Sequence, residues 1–220
     1  QEEAAQFFEQ YSLVSAGVVD EHNRLIGRIT ADDIVWVLQE EAEEDILRLG
    51  GVTESETNKS IVRSTQNRFV WLFVNLLTAI LASYVISLFD ASIEKMVALA
   101  ILMPIVVSMG ANAGTQTLTL TVRSLATKEL VDTNRKRVFF REILVSVLNG
   151  FIFAILTAMT AYLWFSDGGL SIIVGAAMII NIFSAGLFGF LIPYILYKIK
   201  IDPALASSVF VTTITDVFGF

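Results

Sequence analysis

Asp216 is the only acid lying well inside an apolar segment of this 220-residue chain. A carboxylate at membrane depth is costly unless it meets water or a cation, so such a residue is a functional candidate by default. Ser208, Thr212 and Asp216 follow one another at i, i+4 and i+8, which gives their segment a polar face. A second polar face lies upstream. Ser108, Asn112, Thr115, Gln116 and Thr119 recur at i, i+4, i+7, i+8 and i+11 inside 96–122, a stretch free of charge. That stretch is long enough to cross a bilayer. A span that only anchors would be filled with Leu, Ile and Val, whereas this one also holds Pro104, Gly110 and Gly114. The stripe reads either as the wall of a polar pathway or as glue between packed helices. The pathway is the better account of the whole stripe. For Asp216 the bland alternative is a buried acid hydrogen-bonded to a neighbouring helix.

The two faces are expected at one depth. Asp202 to Asp216 is 14 residues, or ~21 Å at the α-helical rise. The same distance back from Arg123 reaches Met109, beside an expected glycine-rich bend at Gly110. An acid among hydroxyl, amide and carbonyl oxygens suits a hard cation, and Mg²⁺ keeps much of its water when bound. One carboxylate is little for a divalent ion. A two-fold homodimer would bring a second.

Five apolar segments position these residues: 69–88, 96–122, 143–165, 170–197 and 204–220, the last short enough to read as truncated. Lys59, Arg63 and Arg68 precede the first. Arg123, Lys128, Arg135, Lys136, Arg137 and Arg141 separate the second from the third, and Lys198 and Lys200 the fourth from the fifth. The positive-inside rule then makes the N-terminus cytoplasmic and the C-terminus extracytoplasmic. Asn181, Ala185 and Gly189 recur at four-residue spacing on the fourth segment, favouring close helix contact.

The chain is 55 % hydrophobic, with the excess after residue 68, and its net charge of −7 is unevenly spread. Residues 1–58 carry 14 acids against 3 bases, and residues 59–220 carry 8 against 12. There is no cysteine, and His22 is the single histidine. Thiolate metal sites and His-based catalysis are therefore out of reach. No nucleophile–base pair or cofactor motif suggests an enzyme, and no basic aromatic surface suggests nucleic acid. The acidic first residues do not read as a signal peptide.

The acidic piece reads as helix, strand, polar turn, strand and helix. The expected apolar sides are Ala4, Phe7, Phe8 and Tyr11, then Ile34, Val35, Leu38 and Ala42. This order, with Gly27, Thr30 and Asp33 at Gly–x–x–Thr–x–x–Asp spacing, resembles the second half of a CBS domain. Some members of that family hold a nucleotide ribose with such a Thr and Asp. The resemblance thus names Thr30 and Asp33 as a candidate ATP site, although many members bind none. About 40 residues are too few for such a module's own core, so the N-terminus reads as cut from a longer protein. The helix then runs into Glu40, Glu41, Glu43, Glu44 and Asp45 before Gly50-Gly51. Such a cluster is either a solvated face or a weak divalent-cation sensor.

The fold class expected is mainly α. It is a polytopic membrane protein of five transmembrane helices, the fifth truncated, preceded by an incomplete α+β CBS half-domain and an acidic linking helix. The domains would be 1–38, 39–60 and 61–220. This order resembles the MgtE family of magnesium channels and transporters. So do Pro104…Met109-Gly110-Ala111-Asn112-Ala113-Gly114-Thr115-Gln116 and Asp202-Pro203-Ala204-Leu205-Ala206-Ser207…Val211-Thr212-Thr213-Ile214-Thr215-Asp216. The resemblance implies a homodimer in a bacterial-type plasma membrane, in contact with lipid, with the ion path at the dimer interface. It implies hydrated Mg²⁺ at Asp216, and a path lined by Gly110, Asn112, Gln116, Ser208 and Thr212. It makes the acidic helix a plug that closes the pore when Mg²⁺ binds positions matching Glu41, Glu44, Asp45 and Asp33. One departure is Ala111, where the family usually has a second glycine; the added methyl is expected to narrow the pore or change ion preference. The competing functions are a proton-coupled transporter or exporter of Mn²⁺ or Co²⁺, and a non-conducting receptor.

Overall fold

The computed structural model describes residues 2–52, 60–131 and 133–220, without the side chains of 2, 3, 6, 41, 42, 45, 95 and 205–207. It divides into two compact units, Gln1–Asn58 and Lys59–Phe220.

In the first unit the elements are α1 (Glu2–Tyr11), β1 (Ser15–Val19), β2 (Leu25–Thr30) and α2 (Ala31–Leu49). The strands pair antiparallel, with Ser15 opposite Thr30 and Val18 opposite Gly27. Their turn is shaped by Asp20, whose Oδ1 accepts from the backbone N–H groups of His22 (2.9 Å) and Arg24 (2.8 Å). Asn23 supplies the left-handed φ of 61° that the turn needs. Ala5, Phe8 and Ile34 form a small core, with Val37 packed against it. Phe7, Tyr11, Val35 and Leu38, expected on the inner faces, are exposed instead. A two-stranded hairpin and one short helix cover only the strip of α2 that carries Ile34 and Val37. Ala42, also expected inside, has its side chain outside the described residues. α2 passes residue 38 without a break and ends at Leu49, followed by Gly50 as C-cap and by Gly51, whose φ is 74°. There the N–H groups of Gly51 and Val52 return to the carbonyls of Arg48 and Leu47.

The second unit is helical: α3 (Ile61–Ser87), α4 (Asp90–Lys95), α5 (Val97–Ala126), α6 (Arg135–Phe165), α7 (Gly168–Lys198) and α8 (Pro203–Gly219). Of these, α3, α5, α6 and α7 are long and apolar enough to cross a membrane. α8, at the position of the expected fifth span, has 17 residues. The helix starts follow from sequence. Asp167 caps α7 by accepting from the N–H groups of Gly169 and Leu170. Asp202 accepts from Ala204 N–H ahead of α8, with Pro203 in the first turn. α7 is the most buried of the four long helices, and α5, α6 and α8 all pack on it. The central core holds Leu102 and Val106 of α5, Ala154 and Ala161 of α6, and Leu170, Val174, Met178 and Ile182 of α7.

The helix is not interrupted at Gly110. α5 is one helix from Val97 to Ala126, through Pro104, Gly110 and Gly114. Both glycines are buried and lie where neighbouring helices press in. Their missing side chains serve close approach.

Candidate functional site

α5 carries two unlike faces. One is buried and includes Val106, Gly110, Gly114, Thr117, Leu118 and Thr121. The other holds Ser108, Asn112, Thr115, Gln116 and Thr119, all five exposed. The Thr115 hydroxyl donates to the Ala111 carbonyl at 2.9 Å, leaving its lone pairs outward. The amides of Asn112 and Gln116 have no partner among the described residues. Among the described residues of its own unit this stripe therefore glues nothing. It is an open row of hydrogen-bonding groups on a helix of membrane length.

α8 packs beside the buried face of α5. A methyl group at Gly114 would lie 2.7 Å from Val211 Cγ1 and 3.5 Å from Thr215 Cγ2. Val211 and Thr215 are almost fully buried, whereas Ser208, Thr212 and Asp216 are partly open. The Thr212 hydroxyl donates to backbone carbonyls one turn back, Ser208 and Val209, so it can only accept from anything that approaches.

The third member of this arrangement is Asn181, fully buried on α7. Its Nδ2 donates to the Val106 carbonyl of α5 at 2.8 Å. Its Oδ1 has no hydrogen-bond partner among the described residues. A methyl at Gly110 would lie 2.2 Å from Nδ2, and one at Gly219 of α8 would lie 2.7 Å from the same atom. With Gly114 against Val211 and Thr215, and Gly110 and Gly219 meeting at Asn181, Asp216 sits between the Gly114 and Gly110 levels of α5. Gly110 is set apart from Asn112 and Gln116, because it faces α7 and not the open stripe. The small-residue spacing pointed to Asn181 as a packing residue. Its unmatched oxygen and the two facing glycines carried no signal in sequence.

In the first unit, Thr30 and Asp33 are engaged with one another. Both the backbone N–H (2.8 Å) and the hydroxyl (2.7 Å) of Thr30 donate to Asp33 Oδ2, closing a capping box at the start of α2. The backbone bond first, and then the hydroxyl bond, hold the Asp33 carboxyl below the usual carboxylate range. Glu44 pairs with Arg48 one turn along α2. The side chains of Glu41 and Asp45 lie outside the described residues. Among the described residues, no three His, Cys, Asp or Glu side chains gather as a metal site.

Four long apolar helices with bulky hydrophobic side chains turned outward, one of them carrying an exposed polar stripe, define a polytopic helical membrane protein with a built polar face. Comparison with known proteins narrows this. The sequence pattern of the MgtE family, described as divalent cation transporter, matches residues 103–220, which include α6, α7, α8 and most of α5. The chain belongs to that family. It is 35 % identical over 222 residues to the magnesium transporter MgtE of Thermus thermophilus. It is 33 % identical over 221 residues to that of Bacillus subtilis. Each match covers all of this chain and 49 % of the relative, so the chain spans about half the length of the curated relatives it matches.

Proposed function

We propose that this protein moves Mg²⁺ into the cytoplasm down its electrochemical gradient, through a pore formed where two copies meet. The observation that carries the reading is the open face of α5. Asn112, Gln116 and their hydroxyl neighbours are exposed within the chain, on a helix whose opposite, buried face packs against the helix that bears Asp216. Unpaired amides are not tolerated against lipid, so this face requires water, an ion or a second subunit. A two-fold axis along it supplies all three. It doubles the Asp216 carboxylate and encloses a wet path lined by Asn112, Gln116, Ser208 and Thr212. Hydrated Mg²⁺ suits such oxygens, because it is bound through few carboxylates and its own water. The names of the bacterial relatives agree with this cargo.

In this reading α8 is the fifth span, and the basic connections place the N-terminal unit in the cytoplasm. Gly110 admits α7 and does not line the path. The acids Glu41, Glu44, Asp45 and Asp33 sense cytoplasmic Mg²⁺ and close the pore when it is abundant. Thr30 and Asp33 also form the α2 cap, and nucleotide is assigned no step.

The test is Mg²⁺ flux into liposomes holding the full-length protein, unsubstituted or as Asp216→Asn. Uptake that follows voltage, needs no pH gradient and falls to background in Asp216→Asn is expected. Retained uptake would remove Asp216 from the path. Dependence on a pH gradient would make the protein a coupled transporter, and no flux in the unsubstituted protein would make it a receptor.

A further inference from the structure

We infer that Asn181 is a positioning residue for transport: its buried amide sets the spacing of α5 and α8 beside Asp216 and thereby tunes which divalent cation passes. The inference rests on the transport reading above.

Three observations meet at this side chain. Its Nδ2 is bonded to the Val106 carbonyl of α5 at 2.8 Å, which pins the amide against that helix. Gly110 of α5 leaves room for it, since a methyl there would lie 2.2 Å from Nδ2 and 2.5 Å from Oδ1. Gly219 of α8 does the same, since a methyl there would lie 2.7 Å from Nδ2 and 3.0 Å from Val107 Cγ2. Two helices are thus bare at the points where they would strike one amide. Asn181 acts as a strut of fixed length between them.

A leucine would fill similar space without an unmatched polar atom, and Oδ1 is unmatched among the described residues. Unsatisfied buried groups are rare enough in native proteins to require a reason, and polar residues inside membrane helices gather at functional interiors. The reason we assign is register. The Nδ2 bond orients the amide, and an apolar side chain at the same place could slide or rotate. Asp216 lies one helical turn from Gly219 on the helix that the strut supports. A path for hydrated Mg²⁺ depends on width, because Mg²⁺ sheds water reluctantly whereas larger Ca²⁺ accepts irregular coordination. Asn181 itself does not touch the ion. It acts through the walls.

The experiment measures Mg²⁺ and Ca²⁺ flux for the reconstituted full-length protein carrying Gly110→Ala, Gly219→Ala, Asn181→Ala, Asn181→Leu, or either glycine change combined with Asn181→Ala. Size-exclusion chromatography and circular dichroism select the variants that fold. Each glycine variant is expected to lose Mg²⁺ flux by about tenfold, and the combination with Asn181→Ala to recover most of that loss. Asn181→Leu is expected to lower the Mg²⁺:Ca²⁺ flux ratio by about fivefold while remaining folded. A packing role alone would change the amount of folded protein and leave that ratio intact. If Asn181→Leu does not fold, the ratio is read from Asn181→Ala and from the double variants. Unchanged flux in both glycine variants, additive loss in the doubles, or a constant ion ratio overturns the inference. Those outcomes, with normal flux in the unsubstituted protein and none in Asp216→Asn, would leave the transport reading standing. Absent flux in the unsubstituted protein would defeat both.

Discussion

Gly114 of α5 faces Val211 of α8 so closely that a methyl on the glycine would lie 2.7 Å from Val211 Cγ1. Val211 is β-branched and buried, so it has little rotamer freedom with which to retreat. Gly150, on α6, offers a contrast: a methyl there would meet its nearest atoms, in Ile179, at 3.5–3.6 Å, an ordinary contact. The same substitution should therefore have opposite signs at the two positions. Alanine gains about 1 kcal/mol of helix propensity over glycine, and overpacking costs about 1–3 kcal/mol. Gly150→Ala is expected to be neutral or stabilising and Gly114→Ala destabilising, as read by thermal unfolding in detergent.

The open stripe on α5 predicts a pattern of water access. This chain has no cysteine, so single cysteines can be introduced without background. Cysteines replacing Asn112, Gln116 and Thr119 are expected to react with a membrane-impermeant thiol reagent. Ile155→Cys, on an exposed apolar part of α6, is expected to stay unreactive in the bilayer. Protection of Asn112→Cys by millimolar Mg²⁺ would place the ion beside it. Equal, slow reaction at all four positions would mean that the stripe is dry.

The capping box predicts how α2 responds to acid. Asp33 is held below its ordinary value of 3.8 by bonds from Thr30 that only the carboxylate can accept in full. A depressed folded value means that the contribution is complete above 3.8 and is lost as pH falls below it through the folded value. Hydrogen exchange in the first turn of α2 should therefore quicken, beyond its intrinsic rate, as pH drops below that point. Asp33→Asn should flatten the response. Thr30→Ala removes the hydroxyl part of the box and is expected to cost about 1 kcal/mol.

Much of this arrangement was legible because membrane spans and polar stripes are written in one helical period. The spacing of Ser108, Asn112, Thr115, Gln116 and Thr119 placed them on one face, and that face is open. The glycines were ambiguous for a physical reason: a bend and a close contact both call for a missing Cβ. Only the neighbour, Asn181 for Gly110 and Val211 for Gly114, tells them apart, and neighbours on other helices leave no local trace in sequence. The first unit shows the same limit. Ile34 and Val37 rather than Val35 and Leu38 meet the core because the covering layer is narrow, a property of the partner elements and not of α2.

The acidic run on α2 yields the last prediction. Glu44 and Arg48 form an i, i+4 pair with both side chains about a third exposed. Exposed pairs of this kind contribute about 0.3–0.5 kcal/mol, so Glu44→Gln should leave the helix standing. Glu41, Glu43 and Asp45 lie within one turn of Glu44 on the same helix, and neutralising them also relieves repulsion. A triple change of Glu41 and Glu44 to Gln and Asp45 to Asn is therefore expected to keep or raise helicity. If these acids bind regulatory Mg²⁺, the same protein should conduct at cytoplasmic Mg²⁺ concentrations that silence the unsubstituted form. Helicity and gating then move independently. Circular dichroism reports the first, and patch-clamp dose–response curves report the second. Unaltered curves in a well-folded triple variant would reduce the cluster to a solvated face.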